Sequence, residues 1–557
     1  MACLLRPQLF LRVAKRGPSA PVRGLRVRHY STPPPSQPAS AFRLSALAIG
    51  LGGVVLGCLV GSQLFPSSSS TPSKHSRPQY GSAQEFSQAI KDLRAVFSSR
   101  EGIVSTDPSD VKGHGLSTNS YHIGVDHSVV VYPESTEDVV KIVKIANKYR
   151  MPIIPYSGAT ALEGHFIGTP GGGICVDMTS MNKILAINEA DADVVVQPGL
   201  GWMELNETLE SEGIPLFFPI DPAPTATIGG IASTGCSGTN AVRYGTAKAE
   251  WFLNLTVVLP NGEVIKTHRR SRKSSTGFDT TKLFIGSEGT LGIITEATLR
   301  LAPVIPTSVA SVQFPNVQAA VQASIEILRS GIAAGIQCVE LVDDNFLAAT
   351  NKYGLSDHKY AVSDGLFFKF QAHSPRALAD TARITKEICK RNGGTEFRLA
   401  GSDQEAQDIW ADRKNAHFVG CAIRPGAGSL ATDVCVPVSK LPELVLETKK
   451  DLERVGLPYT IVGHVGDGNF HAQILFDGDE ELKEVKGIVR RMVHRAIALD
   501  GTCTGEHGVG IGKREFLVEE LGEGTVALMK SIKRTLDPLG LMNPGKVSGK
   551  TALRQGN

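Results

Sequence analysis

Four small-residue segments crowd into residues 156–240 and set the first constraint on what this chain can fold into. Tyr156-Ser157-Gly158-Ala159-Thr160-Ala161-Leu162-Glu163-Gly164-His165 follows the apolar run Pro152-Ile153-Ile154-Pro155. Gly199-Leu200-Gly201, Thr225–Gly230 and Ser233–Asn240 come after it. A strand that ends in such a loop offers consecutive backbone N–H groups with little side-chain obstruction, which suits a pyrophosphate. One such loop is more often a structural turn. Several close together fit a long ligand that is touched along its length. Neither G-x-G-x-x-G nor G-x-x-x-x-G-K-[ST] occurs, so a Rossmann or P-loop site is disfavoured.

The rest of the composition is that of a globular chain. Of 557 residues, 41% are hydrophobic and 20% charged. This excludes wholesale disorder, a collagen-like chain and a polytopic membrane protein. The nine cysteines form no C-x-x-C, so neither a disulfide framework nor a Cys-ligated zinc site is favoured. The net charge of +3 hides a segregation of sign. Arg6, Arg12, Lys15, Arg16, Arg23, Arg26, Arg28, Arg43, Lys74 and Arg77 all precede the first acid, Glu85. Residues 85–557 therefore carry about −7, and no nucleic-acid partner is expected.

Residues 1–30 are Arg-rich, acid-free and interspersed with leucines, the composition of a mitochondrial presequence. After a Pro/Ser linker, 31–43, the uncharged stretch 44–64 would span about 31 Å as a helix, enough for a bilayer core. A second linker, 65–84, follows. The expectation is a single-pass inner-membrane anchor, in contact with lipid, with the body in the intermembrane space.

In the body, residues 120–305 alternate short apolar runs with Gly-rich turns. Met151–Tyr156 and Val194–Val196 read as strands. Ser135 opens an apolar-periodic run and can cap its helix. Residues 305–550 carry longer helical patterns at 316–330, 376–391, 403–418, 440–454 and 480–499. Between two strand-like runs lies Gly463-His464-Val465-Gly466-Asp467-Gly468-Asn469-Phe470-His471. If Asp467-Gly468 is a two-residue hairpin turn, His464 faces His471 with Cβ atoms roughly 5 Å apart, a spacing that suits one divalent ion. Glu506-His507, set among the glycines 505, 508, 510 and 512, supplies a candidate third ligand. Two histidines and a carboxylate suit Mn, Fe(II) or Zn alike.

Pro155–His165, Pro219-Ile220-Asp221-Pro222, Thr227–Gly230, Gly235–Gly245 and Gly286–Thr295 resemble the FAD-binding domain of the vanillyl-alcohol oxidase (PCMH-type) flavoproteins. The resemblance runs from about 120 to 550 and is greatest to the FAD-dependent D-2-hydroxyacid dehydrogenases. It implies an α+β, two-lobed fold: an FAD-binding domain at 120–305, preceded by a lead-in segment at 85–119, and a cap of antiparallel sheet and helices at 306–520. Residues 521–557 would return to the FAD domain. It implies FAD contacts from Tyr156, Ser157, Gly158, Ala159, Thr160, Gly164, His165, Pro219, Asp221, Pro222, Thr227, Gly230, Gly235, Ser237, Gly238, Asn240, Gly292, Ile294 and Asn543. The first loop lacks the histidine that some relatives link to the flavin, so non-covalent FAD is expected. His464, His471 and Glu506 become metal ligands and His507 the base. Arg413, in a W-x-x-R pattern with Trp410, becomes the substrate-carboxylate ligand. The implied reaction is oxidation of D-lactate to pyruvate with electrons passed to cytochrome c. D-2-Hydroxyglutarate is the alternative substrate, and a non-catalytic flavin-binding protein the remote one. Asp433–Pro437 also fits the family pattern but reads most simply as a core strand.

Overall fold

Ser135 accepts a hydrogen bond from the Asp138 N–H and starts the helix Thr136–Tyr149, whose first turn carries Glu137 and Asp138. Its buried stripe of Val139, Ile142, Val143 and Ala146 packs on a small sheet. There Ile174–Asp177 lies between Val129–Val131 and Ile153–Tyr156, parallel to both, and Val104–Ser105 closes the edge. Strands buried in parallel need no polar face, so these read as plain apolar runs.

The computed structural model describes residues 78–547 except 118 and 355. The presequence and span expected at 1–30 and 44–64, and the linkers as far as residue 77, lie outside the described residues. Among the described residues no helix is long and apolar enough to cross a membrane.

The first lobe's core draws on more than residues 120–305. The helix Ala83–Val96 starts at a capping box, Ser82 with Glu85, and buries Phe86, Ala89 and Leu93 beside Val139 and Ile142. From the far end of the chain, Asn543 N–H donates to Ile153 O, and Ile153 N–H donates to Leu541 O, each at 2.8 Å. Both ends thus brace the strand that feeds the first small-residue loop. A second, antiparallel sheet completes the lobe in the order Ile184–Asn188, Asp193–Val196, Ile293–Arg300, Phe252–Val258, Val264–Lys266. The connection after Lys266 breaks the acidic character of the body. Arg269, Arg270, Arg272 and Lys273 are exposed, though Arg270 is paired with Asp191 and Asp193.

The second lobe is an antiparallel sheet in the order Thr395–Leu399, Thr307–Gln313, Gly365–Gln371, Ile336–Val342, Tyr459–Gly463, Asn469–Phe476, Gly428–Ala431. Val434–Cys435 pairs with the other end of Asn469–Phe476. Val317–Leu328, Pro375–Arg391, Leu441–Val455 and Gly478–Ala498 bury their apolar stripes with one face. Asp344–Tyr353, Asp403–Lys414 and Ala416–Cys421 cover the other. The helix expected at 403–418 is interrupted at Asn415 and restarts.

The hairpin differs from its expected form. Val462, not His464, stands opposite His471. Residues 464–468 form a five-residue loop in which Asp467 N–H donates to His464 O at 2.9 Å, and Gly468 takes φ +79°. The longer loop lets Gly466 reach the first lobe. A Cβ at Gly466 would lie 2.5 Å from Val242 Cγ2, so the approach requires glycine.

Candidate active site

A cavity of about 540 Å³ runs between the lobes. One end is lined by the first small-residue loop, where the backbone N–H groups of 158–162 meet no protein acceptor among the described residues. Orphan amides of this kind are rare unless a ligand or water takes them. Three non-glycine residues on the cavity wall hold positive φ: Ala159 (+54°), Glu288 (+53°) and Asn543 (+39°). Backbone strain of this kind collects at ligand sites. Asn543 donates to His165 O and Glu288 O, while its Oδ1 is buried and unpartnered. These features fit a dinucleotide with its phosphates over 158–162.

Tyr156, Ser157, Gly158, Ala159, Thr160, His165, Pro222, Thr227, Gly230, Gly238, Gly292 and Ile294 all line the cavity with Asn543. Five other expected cofactor contacts do not. Gly164 packs on Ile511, and Gly235 caps the helix Ile228–Thr234 in a left-handed conformation against Lys248. Pro219 O accepts from Asn240, which also reaches Gln337 and Cys338 of the second lobe. Ser237 serves another group, donating to Glu506 Oε2 at 2.6 Å. Asp221 lines the cavity, and its carboxylate is engaged by the protein. Its carboxylate accepts from Thr239, from Asn240 N–H and, across the lobes, from Lys414 at 2.6 Å.

At the other end the polar groups converge. His464 Nε2 and His471 Nε2 lie 3.2 and 3.1 Å from the same oxygen, Glu506 Oε1. Each imidazole is oriented from behind, His464 Nδ1 by Glu340 Oε1 at 3.0 Å and His471 Nδ1 by Thr432 O at 2.9 Å. Two imidazole nitrogens and a carboxylate oxygen aimed at one point, both rings backed by an outer hydrogen bond, form a donor set that fits a divalent ion. Donor atoms of Asp433, His471, Glu506 and His507 also fall within 4.8 Å of one another. That set fits less well, because Asp433 already accepts hydrogen bonds on both oxygens. Burial would raise the pKa of Glu506, yet the two histidines hold it well below the usual carboxylate range. Burial opposes charge on His464, and Glu340 and Glu506 outweigh it, raising its pKa well above the ordinary value.

His507 stacks on His471 with ring centroids 4.9 Å apart. Its Nδ1 is buried and unpartnered, and burial lowers its pKa to about 4, so the ring is neutral and able to accept a proton. Arg413 also lines the cavity and is joined to His464 through Glu340: its Nη2 donates to Glu340 Oε2 while its Nε is buried without a partner.

The glycine-rich loop carrying Glu506 and His507 is held from both lobes. Asp433 Oδ2 accepts from Glu506 N–H (2.9 Å) and His507 N–H (2.8 Å), so Asp433 is a site residue and not merely the opening of a core strand. Glu288 of the first lobe accepts from Val509 N–H and Gly510 N–H. Behind them, buried Lys513 lies 3.2 Å from Glu163 and 3.6 Å from Asp433. Glu340, Asp433, Glu288 and Lys513 were not among the residues expected from sequence. The one local signal is an acid inside an apolar strand, as at Glu340 in Ile336–Val342.

Two family profiles match the chain: "FAD binding domain" over residues 127–268 and "FAD linked oxidases, C-terminal domain" over 306–547. The chain belongs to the FAD-linked oxidases. Within that family it groups with mitochondrial D-lactate dehydrogenases. It is 44% identical over 468 residues to D-lactate dehydrogenase [cytochrome], mitochondrial, of Arabidopsis thaliana, covering 83% of this chain and 81% of that protein. It is 42% identical over 478 residues to probable D-lactate dehydrogenase, mitochondrial, of Danio rerio (84% and 94%). Among solved structures, 4-ethylphenol oxidase from Gulosibacter chungangensis superposes with a TM-score of 0.70 at 21% identity, over 85% of this chain and 99% of that one. p-Cresol methylhydroxylase gives 0.68 at 18% (85% and 98%). These two share the fold.

Proposed function

We propose that this protein oxidises D-lactate to pyruvate, using non-covalently bound FAD and a divalent ion held by His464, His471 and Glu506. The observation that carries this reading is the convergence of both histidine Nε2 atoms on Glu506 Oε1, with His507 beside them and Arg413 joined to His464 through Glu340. FAD, when bound, supplies the two-electron acceptor for the C2 hydride, and the ion supplies Lewis acidity toward the 2-hydroxyl. The chain does the rest. Arg413 offers its free guanidinium edge to the carboxylate. His507 takes the hydroxyl proton. Asp433 and Glu288 hold that base and Glu506 still while it does so.

The charge inventory of the cavity favours a monocarboxylate over D-2-hydroxyglutarate. A second carboxylate would need a second cation, and Lys414 is committed to Asp221. His417, a further basic side chain on the cavity wall, has its pKa lowered by burial. A cytochrome acceptor and a mitochondrial address are supported by the names of the relatives, and cytochrome c as that acceptor by the net negative charge of residues 85–557, which would attract a basic carrier. An anchor is supported by the uncharged stretch 44–64, long enough as a helix to span a bilayer core.

The test is anaerobic mixing of the flavin-loaded protein with D-lactate, L-lactate or D-2-hydroxyglutarate while the flavin absorbance is followed. Rapid bleaching by D-lactate, lost in His507→Ala, is the expected result. Bleaching chiefly by D-2-hydroxyglutarate would overturn the substrate, and none by any of them the reaction.

A further inference from the structure

We propose that Glu340 is a positioning residue that holds the carboxylate-binding arginine and a metal-ligand histidine in one frame. This rests on the reading of the site above. Glu340 is 1% exposed, on a strand otherwise apolar but for Gln337. Its two oxygens serve two different groups: Oε1 meets His464 Nδ1 at 3.0 Å, and Oε2 accepts from Arg413 Nη2. Leu341 pairs with Gly463, which brings the residue after the strand, His464, level with Glu340. Arg413 arrives from the last turn of Asp403–Lys414.

Each contact has a chemical consequence. A carboxylate at Nδ1 keeps a proton on that nitrogen, which leaves Nε2, the nitrogen on the Glu506 side, as the one that would ligate an ion. With Nη2 tied to Glu340, the guanidinium plane is fixed and the unpartnered Nε is left for another acceptor. A 2-hydroxyacid bound at both ends needs these two groups at one set separation, and a single side chain sets it. Charge compensation for Arg413 alone would not require the second contact.

Glutamine cannot do both. Its amide oxygen can still accept from Arg413. Its amide NH₂ then faces His464 Nδ1 and favours the tautomer whose Nε2 carries the proton and cannot ligate. The test uses the full chain, flavin-loaded, stripped with a chelator and titrated with Mn(II) followed by electron paramagnetic resonance. D-Lactate kinetics are measured at saturating Mn(II), with flavin content and thermal midpoint as checks on folding. Glu340→Gln is expected to weaken Mn(II) binding 10- to 100-fold. It should also raise KM for D-lactate by a larger factor than it lowers kcat. Glu340→Asp keeps the charge but cannot reach both partners; it should shift both quantities in the same direction, and it stands in if the glutamine variant does not fold. Wild-type protein that binds no Mn(II) overturns the site reading and this inference with it. Wild-type binding that is unchanged in both variants, with KM unmoved, overturns the role of Glu340 alone.

Discussion

Replacing Asp433 by asparagine should loosen the loop that carries Glu506 and His507 by an amount the structure allows to be worked out. Oδ2 of Asp433 accepts from Thr504 Oγ1 (2.7 Å), Glu506 N–H (2.9 Å) and His507 N–H (2.8 Å), and Oδ1 accepts from Asn469 Nδ2 (2.9 Å). Burial works against the charge, but His507, Lys513 and His471 hold the carboxyl well below its usual range, so it is ionised. Hydrogen bonds to a charged group contribute about 1.5–3 kcal/mol each, and neutral ones about 0.5–1.5. Asparagine with its oxygen in the Oδ2 position keeps three bonds and loses the charge from each, about 1 kcal/mol apiece and about 3 kcal/mol together. At about 1.4 kcal/mol per tenfold, local opening of the loop should rise by roughly 100-fold. Amide hydrogen exchange, read by mass spectrometry on a peptide covering 504–510, measures that opening directly. In the same variant, flavin reduction by D-lactate should slow by at least about tenfold, because the proton acceptor and the carboxylate would no longer share one geometry. An Asp433→Asn protein with normal flavin content, whose 504–510 exchange rises less than about threefold, would refute the reasoning.

Further outcomes follow from other contacts. Gly158→Ala places a Cβ 2.5 Å from Thr225 O, a backbone atom, and should displace the first loop; the expected result is a purified protein with sharply reduced flavin-to-protein ratio. Burial pushes the Lys546 pKa down to about 7, so between there and its unfolded value near 10.4 the unfolded chain binds more protons than the folded one. Stability should therefore rise with pH across that window and be lost as pH falls toward 7. Thermal midpoints at the two ends should differ less in Lys546→Met than in the wild type. Deleting 44–64 should release the protein from an alkali-washed mitochondrial membrane fraction, and persistence in the pellet would count against an anchor there.

Much of the architecture was legible in the chain because its causes are local. The capped helix after Ser135 and the five long helices of the second lobe follow from periodicity and end signals within a few residues of each. The small-residue loop at 156–165 advertised free backbone amides, since nothing bulky stands beside them. Gly164 and Gly235 looked the same in sequence but serve packing, because a glycine needed for φ and a glycine needed for a ligand are the same residue.

The hairpin shows where local reasoning stops. Asp467-Gly468 does lie in the connection between two antiparallel strands, but the connection is a five-residue loop that seats Gly466 against Val242 of the other lobe and leaves His464 off the ladder. His464 and His471 still converge, with ring centroids 5.4 Å apart, because both answer to Glu506, which comes from a loop held by both lobes. Sequence alone determined the types of donor, the small-residue loops and the secondary elements, all set by near neighbours along the chain. The tertiary structure decided that Glu340 backs a histidine 124 residues away, that Asp433 and Glu288 clamp one loop from opposite lobes, and that Asp221 is spent on Lys414. A buried carboxylate acquires its role from whatever charge the fold brings within reach, and that partner leaves no mark at the carboxylate's own position in the sequence.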